Sequence, residues 1–414
     1  MKKFRGIKPA LPTQSRITPG FERFDQKNHM VYRGQWDEAY AHVSEARLDE
    51  GRRNQIAKRA KGYSREDYAF LMASTVNTLA TDFQINVCDS GGTSWSPLER
   101  YAMGPEAVIS NLPDWDCDPA KNTKMLKSMA LRFGAGDVGT CELDRRFVYS
   151  HWYDRETKQS YPIRFSDEPG YEQITKPCSL PDKSKVIPKE LKYVLVFIYP
   201  MELQGIRLSP RLSHLATTHV AYSQISFTTM AIAEFIRGLG YNAIPSSNET
   251  ALNIPLAINA GLGELSRNAK LTHPVFGNCC RISKVITDLP LVFDTPISFG
   301  IKEFCGICKR CAKRCPAKAI SNGEMTDRTC GDFTLSNVTM WQTDHAKCRE
   351  FWVTMGTNCG LCITNCPYNQ PDTFLHRMKK STAAQFPVLD KLVYSSMLRT
   401  HQNIPITHEE FWGW

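Results

Sequence analysis

Eight of the fifteen cysteines lie in two runs near the C-terminus. The first reads CGICKRCAKRCP and contains Cys305, Cys308, Cys311 and Cys315, followed by Pro316. The second reads CREFWVTMGTNCGLCITNCP and contains Cys348, Cys359, Cys362 and Cys366, followed by Pro367. Cys-x2-Cys-x2-Cys-x3-Cys-Pro is the spacing with which bacterial chains hold [4Fe–4S] cubanes, the fourth cysteine serving the other cluster. Three close thiolates wrap three corners of a cubane, and the last corner needs a ligand from elsewhere. One cluster is therefore expected on Cys305, Cys308, Cys311 and Cys366. The other is expected on Cys315, Cys348, Cys359 and Cys362. Zinc would take its ligands as two pairs, and these runs fit that poorly. Disulfides are the other competing use. The ten-residue insert REFWVTMGTN between Cys348 and Cys359 exceeds what a bare electron carrier needs. It is long enough to leave the cluster and line something beside it.

The remaining cysteines, Cys88, Cys117, Cys141, Cys178, Cys279, Cys280 and Cys330, are scattered and odd in number. That argues against a disulfide framework and for buried free thiols. A length of 414 residues allows two or three domains with a real core. The net charge of +9, from 51 basic and 42 acidic residues, is mild and forms no basic stripe that would call for nucleic acid. The longest apolar run, Tyr193 to Met201, is too short to span a bilayer and reads as a buried strand.

Elements that could position a site follow from periodicity. Asp49–Lys61 and Glu66–Leu79 read as helices. The stretch from Asn122 reads as an amphipathic helix stopped by Gly134, then a short strand. Tyr193–Tyr199 reads as a strand and Thr217–Arg237 as a helix ended by Gly238 and Gly240. YNAIP is a strand, Ile254–Ala260 a helix, and RISKVITDLPLVFD a strand with its exit. Such alternation predicts an α+β fold. The aromatic end HEEFWGW is expected to dock on the body or on a second subunit.

Several of these segments, in this order, resemble the corrinoid-dependent reductive dehalogenases: HVAYSQ, GYNAIPSSNETALNIPLAINAGLGELSRNAKLTHPVFG, RISKVITDLPL, EFCGICKRCAKRCPAKAIS and the Cys348 run. The resemblance covers roughly residues 120–372, and more weakly ERFDQKNHMVYRGQWDE near the start. It implies a nitroreductase-like corrinoid-binding domain over 121–297, then a ferredoxin-like domain with two [4Fe–4S] clusters over 298–372. An N-terminal region, 1–120, would cover corrinoid and substrate, and 373–414 would be a C-terminal extension. The implied activity replaces a carbon–halogen bond of an organohalide by carbon–hydrogen, with cobalamin reduced through the clusters.

Residue by residue, the resemblance assigns Tyr222 as the proton donor, Arg281 as the cation that lowers its pKa, and Asn248 as the residue placing substrate or halide. Trp352 matches the family's aromatic of the second run. Thr218, one helical turn before Tyr222, shares its face and is expected in the substrate pocket. Trp36, Trp95 and Trp115 are candidates for the pocket wall. No D-x-H-x-x-G occurs in the chain, so no protein histidine is expected on cobalt; His219 and His273 lie near the motifs but are read as packing residues.

Two other readings share these parts. Epoxyqueuosine reductase, which acts on tRNA, also joins a corrinoid domain to two clusters, but it lacks the long insert and its proposed acid is an aspartate. A pure electron-transfer protein would leave some 300 residues unexplained. The family implies the outer face of the cytoplasmic membrane, a twin-arginine leader, a small membrane anchor protein, an electron donor protein or quinol-linked chain, and a homodimer; no nucleic acid is expected. The N-terminal segment carries neither apolar h-region nor twin arginine, so the native precursor is expected to be longer. The basic residues Lys309, Arg310, Lys313 and Arg314, interleaved with the first run, could dock an acidic donor.

Overall fold

The unbroken apolar run YVLVFIYP forms the strand Tyr193–Pro200, as β-branched and aromatic residues buried on both faces favour. It lies inside a four-stranded antiparallel sheet in the order Asp137–Glu142, Tyr193–Pro200, Cys280–Thr287, Ala243–Ser246. This description comes from a computed structural model, which describes residues 5–68, 70–72, 95, 115, 118–369, 373–400 and 407–413.

Alternate residues of the strand serve two cores, as the period of two requires. Leu195, Phe197 and Tyr199 pack under the long helix Leu212–Gly238 with Ile225, Ile232 and Ile236. Val194, Val196 and Ile198 face the opposite way, against Leu256 and Ala257 of the short helix Asn253–Asn259. Each such fully buried aliphatic side chain contributes about 1.5–3 kcal/mol of transfer free energy, so the sheet is a rigid floor for both helices.

The elements expected around this sheet are present with small shifts. The helix Pro119–Arg132 starts at an Asp118 cap with proline in its first turn and ends before Gly134, whose φ is +102°. The expected helix over 49–61 is instead Glu45–Ala57. It starts after Ser44, and the left-handed Arg59 prevents continuation. Of the helix expected over 66–79, the described part reaches residue 72; the rest lies outside the described residues. A second sheet, His151–Asp154, Gln159–Phe165, Lys185–Ile187 and Cys178–Ser179, has no counterpart in the sequence reading. Its strands are short and broken by turns. The terminal helix His408–Trp412 docks on the body, with Phe411 and Trp412 at 6.0 and 5.8 Å from the Phe70 ring.

The scattered thiols are only partly the buried set expected. Cys141 and Cys279 are buried, Cys178 and Cys280 are half-buried, and Cys330 is exposed, because it sits in a surface turn with its thiol on the Thr343 carbonyl. Cys88 and Cys117 lie outside the described residues.

Candidate active site and metal centres

The first cysteine run folds as two short helices, Ile301–Cys308 and Arg310–Lys313, joined at Lys309 with φ +50°. The break turns the chain so that successive cysteines face one point. Cys305, Cys308, Cys311 and Cys366 line a small cavity whose wall also includes Arg267, Phe304 and Tyr368. Burial raises the pKa of Cys311, and the neighbouring charges that add to this are Cys366 first, then Cys305, Cys362 and Cys308. In the other group, Cys348 is pushed up to about 11 by burial, with Cys362 and Cys315 among its neighbours. Cys359 is pushed up to about 12 by burial and feels Cys362 and Cys348. Thus Cys366 lines the cavity of Cys305, Cys308 and Cys311, and Cys315 is among the neighbours of Cys348 and Cys362. None of the eight forms a disulfide. Among the described residues no three His, Cys, Asp or Glu side chains converge on a single metal ion.

The insert between Cys348 and Cys359 continues the helix His345–Met355 and returns through Gly356, φ +66°. The helix Glu45–Ala57 packs on it backbone to backbone. A Cβ on Gly51 would strike the Val353 carbonyl, and one on Gly356 would strike the Arg52 backbone. Arg349, 4% exposed, donates to the Val43 carbonyl at 3.0 Å and to Glu45 Oε1 at 2.8 Å. Tyr63 donates to the Met355 carbonyl. Part of the N-terminal region is thereby tied to the insert.

Three elements meet at Tyr222. The long helix carries it, the turn after Ala243–Ser246 carries Asn248, and Cys280–Thr287 carries Arg281. Asn248 Nδ2 donates to Tyr222 Oη at 3.1 Å. The Arg281 guanidinium lies over the Tyr222 ring, 5.1 Å from its centroid, a cation–π arrangement. His219 packs on Tyr222 with ring centroids 6.1 Å apart. Burial, then the charge of Arg281, holds His219 down to about 4 and His214 down to about 3, so both imidazoles are neutral near pH 7.

Thr218 is 2% exposed on the same helix. Its hydroxyl shares a property with His214 Nδ1, His219 Nδ1, Arg281 Nε, Thr357 Oγ1 and Asn358 Oδ1: all are buried without a hydrogen-bond partner. They come from the long helix, the sheet and the insert. Buried polar atoms are rarely left unpaired, so each of these can take a partner that the chain does not supply.

Other residues are placed away from Tyr222. His273 pairs with Asp137 at 3.0 Å and stacks on Phe276. Trp36 donates to the Lys27 carbonyl. Trp95 is in the core beneath the second sheet, and Trp115 donates to Asn122 on the helix Pro119–Arg132. A polar wall missed from sequence is formed by Tyr32, with Arg155 over its ring at 4.9 Å. Burial raises the Tyr32 pKa, Arg155 opposes this, and Tyr222 is among the groups that add to it, so the two phenols lie within electrostatic reach. The weak similarity of the stretch around His29 and Tyr32 was the available signal.

With this geometry in place, comparisons extend the picture. Residues 44–291 match the model of the reductive dehalogenase subunit family, and residues 304–369 match a 4Fe-4S double cluster binding domain. The tetrachloroethene reductive dehalogenase of Sulfurospirillum multivorans is 35% identical over 285 residues, 68% of this chain and 55% of that protein. A solved catabolic reductive dehalogenase superimposes with a TM-score of 0.66 at 21% identity, covering 97% of this chain and 49% of that one. An epoxyqueuosine reductase of Lactococcus garvieae matches more weakly, 25% over 153 residues, 37% of this chain and 41% of that protein. The chain spans about half the length of the dehalogenases it matches.

Proposed function

The chain belongs to the reductive dehalogenase family, and from that premise we propose that it replaces a carbon–halogen bond of a small organohalide by carbon–hydrogen. The reaction consumes two electrons and one proton and releases halide: R–X + 2e⁻ + H⁺ → R–H + X⁻. The electrons come from a donor protein or a quinol-linked chain.

The cysteine-rich segment carries two [4Fe–4S] clusters, which deliver low-potential electrons singly. We assign Cys305, Cys308, Cys311 and Cys366 to one, and Cys315, Cys348, Cys359 and Cys362 to the other. A bound cobalamin would supply the metal centre that engages the carbon–halogen bond. The unpartnered atoms of Thr218, His214, Thr357 and Asn358 suit such a group, because the corrin rim carries amides that donate and accept. In this reading 121–297 is a nitroreductase-like corrinoid domain, 1–120 covers the pocket, and 298–372 is ferredoxin-like. Residues 373–414 form a C-terminal extension.

The chain's own part is proton delivery. Tyr222 gives its hydroxyl proton to the carbon that loses halide. Arg281 over the ring stabilises the phenolate left behind, and Asn248 keeps a donor on its oxygen. The neutral His214 and His219 have no imidazolium proton to offer near pH 7. Thr218 and Trp352 shape the pocket wall. The observation that carries this reading is the contact of Tyr222 Oη with Asn248 Nδ2 at 3.1 Å beneath the Arg281 stack. A small membrane anchor, homodimerisation and a position on the outer face of the cytoplasmic membrane complete the proposal by family likeness. Among the described residues no helix is long and apolar enough to cross a membrane.

The test is anaerobic turnover of chlorinated and brominated alkenes, alkanes and aromatics by reconstituted protein. General-acid catalysis contributes about 10²–10⁴-fold, so Tyr222→Phe should lose at least about 10² in kcat with iron, cobalt and cluster reduction intact. Near-parent turnover by that variant would remove Tyr222 from the mechanism.

A further inference from the structure

We propose that Asn253 and Lys284 are positioning residues that set the polarity of the Tyr222 hydroxyl, so that its oxygen accepts a hydrogen bond and its proton is left for the pocket. The inference rests on the reading of Tyr222 as proton donor and extends it to two residues that do not touch the substrate.

Arg281 and Lys284 are three apart on one strand, so their side chains leave opposite faces of the sheet. Arg281 goes to the Tyr222 ring. Lys284, fully buried, goes to the helix Asn253–Asn259, where Nζ donates to Asn253 Oδ1 at 2.8 Å and to the Ser247 carbonyl at 3.2 Å. A buried lysine costs stability unless its hydrogens are used, and these two acceptors use two of the ammonium's three. Burial pushes Lys284 down to about 7, with the charge of Glu249 opposing. Protonated or not, the amine has hydrogens for both acceptors.

The Asn253 amide can stand only one way round. Its oxygen faces the lysine. Its nitrogen faces two backbone carbonyls, Ser247 at 2.8 Å and Ile282 at 3.1 Å, which only accept. The same nitrogen reaches Asn248 Oδ1 at 3.3 Å, so its two hydrogens are shared among three acceptors. With that oxygen engaged, Asn248 presents Nδ2 to Tyr222 Oη. Tyr149 donates to the Asn248 backbone carbonyl at 3.1 Å, and the Ser247 amide donates to Glu249 Oε2 at 3.0 Å, so the turn is held while the amide is oriented. The donor direction therefore runs from Lys284 through Asn253 and Asn248 to the phenol oxygen. Were Asn248 reversed, its carbonyl would take the phenol hydrogen, and the acid would hold its proton in a resting bond.

Two measurements on the reconstituted protein test this. The first is ultraviolet resonance Raman of the parent minus Tyr222→Phe, which isolates residue 222. The tyrosine Fermi doublet distinguishes a phenol oxygen that accepts from a hydroxyl that donates. An acceptor pattern is expected; a donor pattern overturns the proposal whatever the activity. The second uses Asn253→Asp, which still pairs with Lys284 but has no hydrogen for Asn248, and Lys284→Met, which removes the head of the chain. Misplaced catalytic groups cost on the order of 10–10². Folded Asn253→Asp protein should lose about tenfold or more in kcat, keep KM within about twofold, retain iron and cobalt, and shift the residue-222 doublet toward donor. Lys284→Met should move the same way by less, because two carbonyls still hold the Asn253 nitrogen. If the variants fold and neither the doublet nor kcat moves, the proposal is wrong. If Tyr222→Phe itself keeps parent activity, the acid assignment fails, while the Raman result still decides the polarity.

Discussion

The cysteine-rich segment and the Tyr222 site solve the same problem, placing several groups around one point, by opposite means. In the first run the ligands are neighbours in sequence, and two short helices with a left-handed Lys309 between them are enough to gather three of the four. At Tyr222 the three partners come from a helix, a turn and a strand, held only because the sheet packs under that helix. A local site is robust to what surrounds it and fragile to its own residues. A site assembled at long range depends on the floor beneath it as much as on its members. The exchange of fourth ligands that we propose would be the non-local feature of the cysteine segment, and there it would behave like the Tyr222 site.

The largest effect is expected where that exchange is cut. Cys366→Ser should empty the site of Cys305, Cys308 and Cys311 rather than that of its own run, and Cys315→Ser should do the converse. Iron should fall from about eight to about four per chain, and turnover should be lost. Spectra in which each variant damages the cluster of its own run would break the parallel between the two regions.

A smaller effect is expected at Arg281. Lysine keeps the charge but not the planar, stackable guanidinium. Arg281→Lys should therefore lower kcat by roughly tenfold, between parent and Tyr222→Phe, and leave iron, cobalt and cluster reduction unchanged, since exposed-site cation–π contacts contribute about 0.5–1 kcal/mol and desolvated ones about 2. Loss of cobalt with kcat per cobalt unaltered would make Arg281 a binding residue instead.

The same contrast explains what could be read from sequence. The cysteine spacing is local, so a double-cluster segment was legible from sequence and candidate ligands could be named residue by residue. The strand Tyr193–Pro200 and the long helix announced themselves by periodicity. Tyr222, Asn248 and Arg281 could be named only through family motifs, since nothing in their spacing tells that a sheet will bring them together. The second sheet was not legible, because its strands run from two to seven residues and alternate weakly. Tyr32 and Arg155, and likewise Asn253 and Lys284, escaped for one reason: each gains its meaning from a partner distant in the chain. A buried lysine inside an apolar strand was the one available sign, and on sequence alone it reads as an edge or a surface face.

The smallest effect separates the regions by pH. Three imidazoles are held low by burial: His219 and His345 to about 4, and His214 to about 3. Arg281 adds to the effect at His214 and His219. In the unfolded chain each would titrate near 6.5. Between that value and about 4 the unfolded state binds more protons than the folded one, so stability must fall as pH drops through this window and is fully present above it. His214 and His219 both lie on the long helix beside Tyr222, whereas the first cysteine run contains no histidine. Acid should therefore loosen the Tyr222 side first. Anaerobic melting followed by tyrosine and tryptophan signals should show Tm falling from pH 7 to about 4.5, and His219→Phe should flatten that slope. A melting temperature independent of pH over this range, or a slope unchanged in His219→Phe, would mean that these imidazoles are not held neutral by the fold.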